Sequence, residues 1–333
     1  MVLSVLDLLP VARHVQAADV IRSAEVVARA AEAAGFHRYW VAEHHNMPSI
    51  ASSAPDILIA HVAARTTRIR VGAGGIMLPN HAPLRVVEAF RTLEALHPGR
   101  IDLGLGRAPG TDAVTSAALR RGAGEDPDER LAELLAFERG TFGDGHPFQQ
   151  IAPTPAGVRL PPIWMLGSTT AGAAIGAALG VRYAFAGHFA MRYAEAAMSV
   201  YRSRFQPSPD LASPYAMLAV TVICGEDDAH AARLAAPVRL AIARSRTGQR
   251  LPIATVEEAL AHRFTRDEEA AADAFLEGAV VGGPARVRDG LQALVVRTGA
   301  DEVILSTLVP DLDERLASLA RTASAVGTSP GPD

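Results

Sequence analysis

Residues 38–45 read Arg38-Tyr39-Trp40-Val41-Ala42-Glu43-His44-His45, an apolar run that stops abruptly at three titratable side chains. Its aromatic and β-branched content suits a strand. Side chains alternate along a strand, so Trp40, Ala42 and His44 share one face while Val41, Glu43 and His45 share the other. Upstream, residues 18–34 form an alanine-rich stretch with helical spacing, closed by Gly35. Downstream, residues 46–55 are rich in turn formers and residues 56–65 return to a helical pattern. This is one strand–helix unit, with its polar groups gathered where the strand exits.

The same unit recurs in both directions. Strands are expected at residues 3–8, 38–43, 69–78 and 101–106, then at 163–166, 183–186, 216–224 and 302–307. Helices are expected at 83–96, 129–139, 169–179, 191–205, 228–244, 284–298 and 312–325. Pro83 opens the first of these, where a missing N–H costs nothing. Eight strands interleaved with helices predict an α/β fold, a (β/α)8 TIM barrel with insertions at the C-terminal face of the strands. A doubly wound open sheet is the runner-up, disfavoured because no GxGxxG turn follows the first strand. Residues 1–326 form one barrel domain on this reading. Residues 107–128, rich in glycine, proline and charge, and 140–162, with five prolines, are expected as connections. Residues 247–282 fit no strand and are expected as a helical insertion that lids the barrel mouth, and 327–333 as a disordered tail.

Composition removes whole chemistries. All 32 basic residues are arginine, so a pyridoxal Schiff base, a class I aldolase lysine and a Walker A loop are each excluded. Cys224 is the single cysteine, so no internal disulfide forms. A net charge of −4 argues against nucleic acid or a membrane surface as partner. No apolar run approaches the ~18–20 residues that span a bilayer. Met1-Val2-Leu3-Ser4 lacks the basic start of a signal peptide. The expectation is a cytoplasmic enzyme that acts on a small molecule.

In a (β/α)8 barrel the chemistry sits at the C-terminal strand ends. These ends carry Glu43-His44-His45, Gly74-Gly75, Gly106-Arg107, Gly167-Ser168 and Gly187-His188. Neighbouring histidines on one strand face opposite ways, and no HxH or HExxH spacing occurs, so no metal site is expected. One histidine can instead reach the cavity as a base or donor, oriented by its neighbour or by Glu43. A structural pair capping the strand is the competing reading. His81 follows the third strand, where it either lines the mouth or packs beside it. Gly104 and Gly106 leave one face of the fourth strand bare, for close approach of a ligand or for tight packing inside the barrel. With Gly74-Gly75 they outline a slot for a planar ring. Ser168-Thr169-Thr170 precede an alanine-rich helix, and free amides there could meet a phosphate together with the Arg107 fork. A planar ring with one phosphate describes a flavin mononucleotide.

Five blocks of the chain resemble the bacterial luciferase-like flavin-dependent monooxygenases. They are Tyr39-Trp40-Val41-Ala42-Glu43-His44-His45, then residues 71–79, then Pro98-Gly99-Arg100-Ile101-Asp102-Leu103-Gly104-Leu105-Gly106-Arg107. Trp164-Met165-Leu166-Gly167-Ser168 and the segments at 281–284 and 298–302 follow in order. The resemblance implies a barrel that uses reduced FMN, delivered by a separate flavin reductase, with molecular oxygen as co-substrate. It implies His44 as the catalytic base that assists or protects a flavin C4a-peroxide, with Glu43 and His45 in support. It places a non-proline cis peptide at Gly74-Gly75 beneath the flavin. Gly106, Arg107, Gly167, Ser168 and Thr169 then complete the cofactor site, and a homodimer is the family expectation. The light-emitting enzymes carry a reactive cysteine where this chain has Gly106, so light emission is not implied. A relative that tailors a secondary metabolite is implied instead. Phe185, Phe189, Met191 and Met77 are expected pocket liners or core residues, and 247–282 the lid that keeps water out. Three rival readings follow: a deazaflavin-dependent dehydrogenase on the same barrel, a non-catalytic flavin-binding subunit, and a metal hydrolase.

Overall fold

A computed structural model describes residues 1–119 and 126–331. Strands β1 (Val2–Asp7), β2 (Arg38–Val41), β3 (Arg70–Met77) and β4 (Ile101–Gly106) alternate with helices α1 (Ala17–Ala33), α2 (Pro55–Ala63) and α3 (Pro83–Leu96). Helices α4 (Ala113–Leu119) and α5 (Pro127–Arg139) precede β5 (Ile163–Gly167), α6 (Thr170–Leu179) and β6 (Arg182–Phe185). Then come α7 (Gly187–Ala190), α8 (Ala194–Arg204), β7 (Ala216–Cys224), α9 (Asp228–Arg246), α10 (Val256–Ala261) and α11 (Arg266–Leu276). The chain closes with β8 (Val280–Gly282), α12 (Pro284–Thr298), β9 (Glu302–Ser306) and α13 (Leu312–Val326).

Strands β1 to β6 pair in sequence order, β6 pairs β7, β7 pairs β9, and β9 returns to β1. Every pairing is parallel, so eight strands close a (β/α)8 barrel. Alternation then sorts the core into two shells. Leu6, Trp40, Ala42, Trp164, Met217 and Ile304 fill the interior, with Trp40 and Trp164 edge-to-face at 5.1 Å. Tyr39, Val41, Val71, Leu103 and Leu305 face outward into the layer of helices.

The first residues of the strands plug the N-terminal end with buried charge. Asp102 accepts from Arg38 at 2.9 Å, from Arg70 at 2.8 Å and from Trp40 Nε1 at 3.1 Å. Arg38 also binds Glu302 at 2.9 Å, and Tyr215 donates to Glu302 at 2.9 Å. Four ionised groups this deep are tolerated only because each is paired. With that end closed, a cavity can open only at the other.

Three expectations change. Residues 280–282 form β8, which pairs parallel with the overhanging end of β7, Val222 to Cys224. So only the first part of 247–282 is helical. Connection 107–128 carries helix α4, and its residues 120–125 lie outside those described. In the expected tail, Ser329 donates its amide to the Met1 carbonyl at 3.1 Å, and Thr328 donates to the Ala34 carbonyl at 3.3 Å. Residues 327–331 therefore pack on the N-terminal end of the barrel, and 332–333 lie outside the described residues. Among the described residues no helix is long and apolar enough to cross a membrane.

Candidate active site

A cavity of about 280 Å³ opens at the C-terminal ends of the strands. Its walls include His44, Gly74, Gly106, Arg107, Gly167, Ser168 and Thr169, seven of the ten expected site residues. Glu43, His45 and Gly75 lie behind it. The split follows strand parity: Trp40, Ala42 and His44 reach the cavity, while Glu43 points the other way and is fully buried.

Glu43 is the hub that ties two strand ends together. Its carboxylate accepts from the Met77 amide at 2.8 Å, Asn80 Nδ2 at 3.1 Å, His45 Nε2 at 2.9 Å and His81 Nε2 at 3.0 Å. Burial pushes its pKa up, yet the His81, His45 and Met77 donors outweigh burial and hold it below the usual carboxylate range. Asn80 also donates to the Pro109 carbonyl at 2.9 Å, which fixes the loop after β4. That loop presents the Gly110 carbonyl to His44 Nδ1, a long contact of 3.4 Å. A carbonyl only accepts, so Nδ1 carries the proton and Nε2 keeps a lone pair. Burial lowers the pKa of His44, opposed by the Gly110 carbonyl, so the ring is neutral near pH 7.

His81 thus belongs to the Glu43 cluster, and Asn80, which the sequence reading did not single out, joins it. The signal was available: His81 follows β3 by four residues, one short turn from the strand end. His188, noted only as a strand-end residue, lines the cavity beside the others.

The glycine readings divide. A Cβ on Gly104 would stand 2.1 Å from the Ala73 carbonyl oxygen, so tight packing explains it. A Cβ on Gly74 would meet Leu6 at 2.8 Å and Trp40 at 3.0 Å, and one on Gly106 only the flexible Met77 at 2.8 Å. Both glycines leave bare cavity wall, and the Gly74-Gly75 peptide is cis. Met77, Phe185 and Phe189 line the cavity as expected, whereas Met191 packs beneath it against Gly187 and Gly278.

After β5, Thr169 caps α6 in extended backbone, one residue later than expected, and makes no side-chain cap bond. The first amides of the helix are left for another acceptor. Arg107 is anchored to Asp128 at 2.8 Å, a partner the sequence did not reveal, while its Nε is buried with no partner. Among the described residues no group of three or more histidine, cysteine or carboxylate side chains could hold a metal.

A closed parallel barrel with a histidine-bearing apolar cavity at its C-terminal rim defines an enzyme that encloses a small ligand. The model of the luciferase-like monooxygenases matches residues 1–302, and the chain belongs to that family. It is thereby an oxidoreductase of the oxygen-incorporating class. A luciferase-like monooxygenase of Escherichia coli (strain K12) is 39% identical over 318 residues, covering 95% of this chain and 94% of its own. An N-acetyl-S-alkylcysteine monooxygenase of Bacillus subtilis (strain 168) is 42% identical over 187 residues, 55% of this chain and 56% of its own. Among solved structures, apo-MsnO8 superposes with a TM-score of 0.89 at 36% identity and covers 99% of both chains.

Proposed function

We propose that the chain binds reduced FMN in this cavity and uses it with molecular oxygen to monooxygenate a small organic substrate. The observation that carries the reading is the cavity wall. Gly74 and Gly106 give a side-chain-free surface in the cavity that holds His44, and Arg107, with its orphaned Nε, and the start of α6 belong to the same cavity. A flat ring fits the first and a phosphate the second, by charge-assisted hydrogen bonds to amides and guanidinium. Gly167, Ser168 and Thr169 complete that cradle, with Gly75 behind its wall as the other half of the cis peptide. When bound, reduced flavin supplies the electrons that activate oxygen. The protein's part is to orient the ring, to exclude water through the apolar walls, and to offer a neutral imidazole at His44. Glu43 and His45 hold that imidazole's strand end in place.

The reading extends to a separate NAD(P)H-dependent flavin reductase as electron source, a cytoplasmic homodimer, and tailoring of a secondary metabolite. Anaerobic titration with reduced FMN tests it. Saturable binding is expected, followed on admission of oxygen by an absorbance transient distinct from free reduced and oxidised flavin. Absence of oxygen uptake, with hydride exchange to a deazaflavin instead, would overturn it in favour of a dehydrogenase. Binding without any turnover would leave only a flavin-carrying subunit.

A further inference from the structure

His188 follows β6 on the short helix α7 and shares the cavity with His44. Its ring packs on Phe189, with centroids 4.0 Å apart. Nδ1 is enclosed and has no hydrogen-bond partner, so Nε2 is the nitrogen left to face the cavity. Burial, with a smaller contribution from nearby His44, drives its pKa down to about 3, so the ring is neutral at physiological pH. A sealed N–H with nothing to donate to is rarer and costlier than a sealed lone pair, so the proton sits on Nε2.

Most of the cavity that this donor shares is apolar, with Leu6, Leu8, Ala184, Phe185, Ala219 and Ile304 among its walls. Among the described residues the one ionic side chain lining the cavity is Arg107, which Asp128 engages and whose remaining donors the proposed cofactor phosphate would take. A carboxylate or ammonium placed here would be desolvated without a counter-charge. A hydroxyl would accept from Nε2–H, but its own proton would then have to go to the His44 Nε2 lone pair or to the Ser168 and Thr169 hydroxyls, the few acceptor side chains lining the cavity. A carbonyl oxygen accepts and asks for nothing in return.

We propose that His188 is a specificity-determining residue, whose Nε2–H selects an uncharged apolar substrate by hydrogen-bonding its carbonyl oxygen. The proposal rests on the reading of the cavity as a monooxygenase site only in taking the bound molecule as the reaction's substrate. Sites built around one buried donor reject analogues that lack the acceptor far more strongly than they reject a missing methylene.

The test uses a shape-matched pair, cyclohexanone and methylenecyclohexane, titrated calorimetrically into the full chain loaded with oxidised FMN. The wild type is expected to prefer the ketone by about tenfold or more, the scale of one satisfied donor. His188→Phe should bind the two alike while its FMN affinity stays within about threefold, a change under 1 kcal/mol. His188→Gln, which keeps a donor, should retain the preference, and His188→Ala serves if the phenylalanine variant does not fold. A preference that persists without a donor at 188, or a wild type with no preference, overturns the proposal. Failure of FMN to bind would count against the flavin reading alone. The same pair would then be titrated into the free chain, with the fluorescence of the packed Trp40 and Trp164 as reporter, and His188 judged there.

Discussion

At His44 the chain combines two demands that usually conflict. The ring must be enclosed to work in a dry site, and it must keep a free lone pair. The Gly110 carbonyl settles the second by accepting a hydrogen bond from Nδ1–H, and burial keeps the ring neutral. Because the folded pKa is lowered, the neutral base is fully present above the ordinary histidine range and is lost only as pH falls below about 6.5. The acid limb of a pH–rate profile for kcat should therefore lie below that of a free imidazole. His44→Ala should lose turnover by about 10²–10⁴-fold, the usual worth of a general base, and leave reduced-FMN affinity nearly unchanged. Parallel loss of flavin binding and turnover would instead make His44 part of the cofactor cradle. The opposite facing of His44 and Glu43 was legible because strand parity assigns faces from sequence alone, whereas a base role for His44 came only with the family resemblance. The partners of Glu43 were not, since Met77, Asn80 and His81 meet it across a strand gap that only the barrel closes.

Strands were read well because each is a short apolar run between turns, and the barrel needs eight of them. What sequence could not show was which glycine served packing and which the cavity. Gly104→Ala would drive a Cβ to 2.1 Å from backbone oxygen, which cannot retreat, whereas Gly106→Ala meets only the end of Met77. The first should cost about 1–3 kcal/mol or more, and the second less, with its effect on flavin affinity. Urea unfolding and flavin titration of the two variants separate these outcomes. The ionic plug was equally hidden, because Arg38, Arg70, Asp102 and Glu302 look like ordinary strand-flanking charges until the barrel turns them inward. Asp102→Ala should destabilise by about 3–5 kcal/mol, because it leaves Arg70 buried with no carboxylate and Arg38 with Glu302 alone. Burial raises the Asp102 carboxyl pKa, but Arg38 and Arg70 hold it well below the usual range. For a depressed pKa, the stability is fully present above about pH 4, the unfolded value, and is lost as pH falls toward the folded one. Acid unfolding of the wild type, set against its neutral Asp102→Asn variant, should show that slope shrink.

Across the whole molecule, the segment between α9 and β8 touches the chain beyond three separate strand ends. Ile253 exchanges backbone bonds with Val11 and Arg13 beyond β1, each 2.8 Å long. Arg250 binds Asp112 beyond β4 at 2.8 Å, and Phe275 of α11 meets Phe189 beyond β6 at 5.9 Å. Its helices were foreseeable from two capping boxes, Thr255 with Glu258 and Thr265 with Glu268, yet its path was not, since short apolar patches do not say which loops they will cover. If this segment is the lid, its contacts with the rim should govern water entry more than stability. Arg250 is half exposed, so its ion pair contributes under about 1 kcal/mol to folding. Asp112, however, also accepts from Asn46 at 3.1 Å and Thr115 at 2.7 Å, in the loop whose Gly110 carbonyl holds His44. Arg250→Gln should leave the melting temperature within a few degrees, by the size of that contribution. It should nonetheless raise the hydrogen peroxide released per oxygen consumed, because in a site open to water the two electrons of reduced flavin reduce oxygen to hydrogen peroxide without oxygenating the substrate. Unchanged coupling in Arg250→Gln, and in a double variant with Arg13→Gln that also breaks the 3.0 Å pair to Glu258, would make the segment a fixed wall and not a gate.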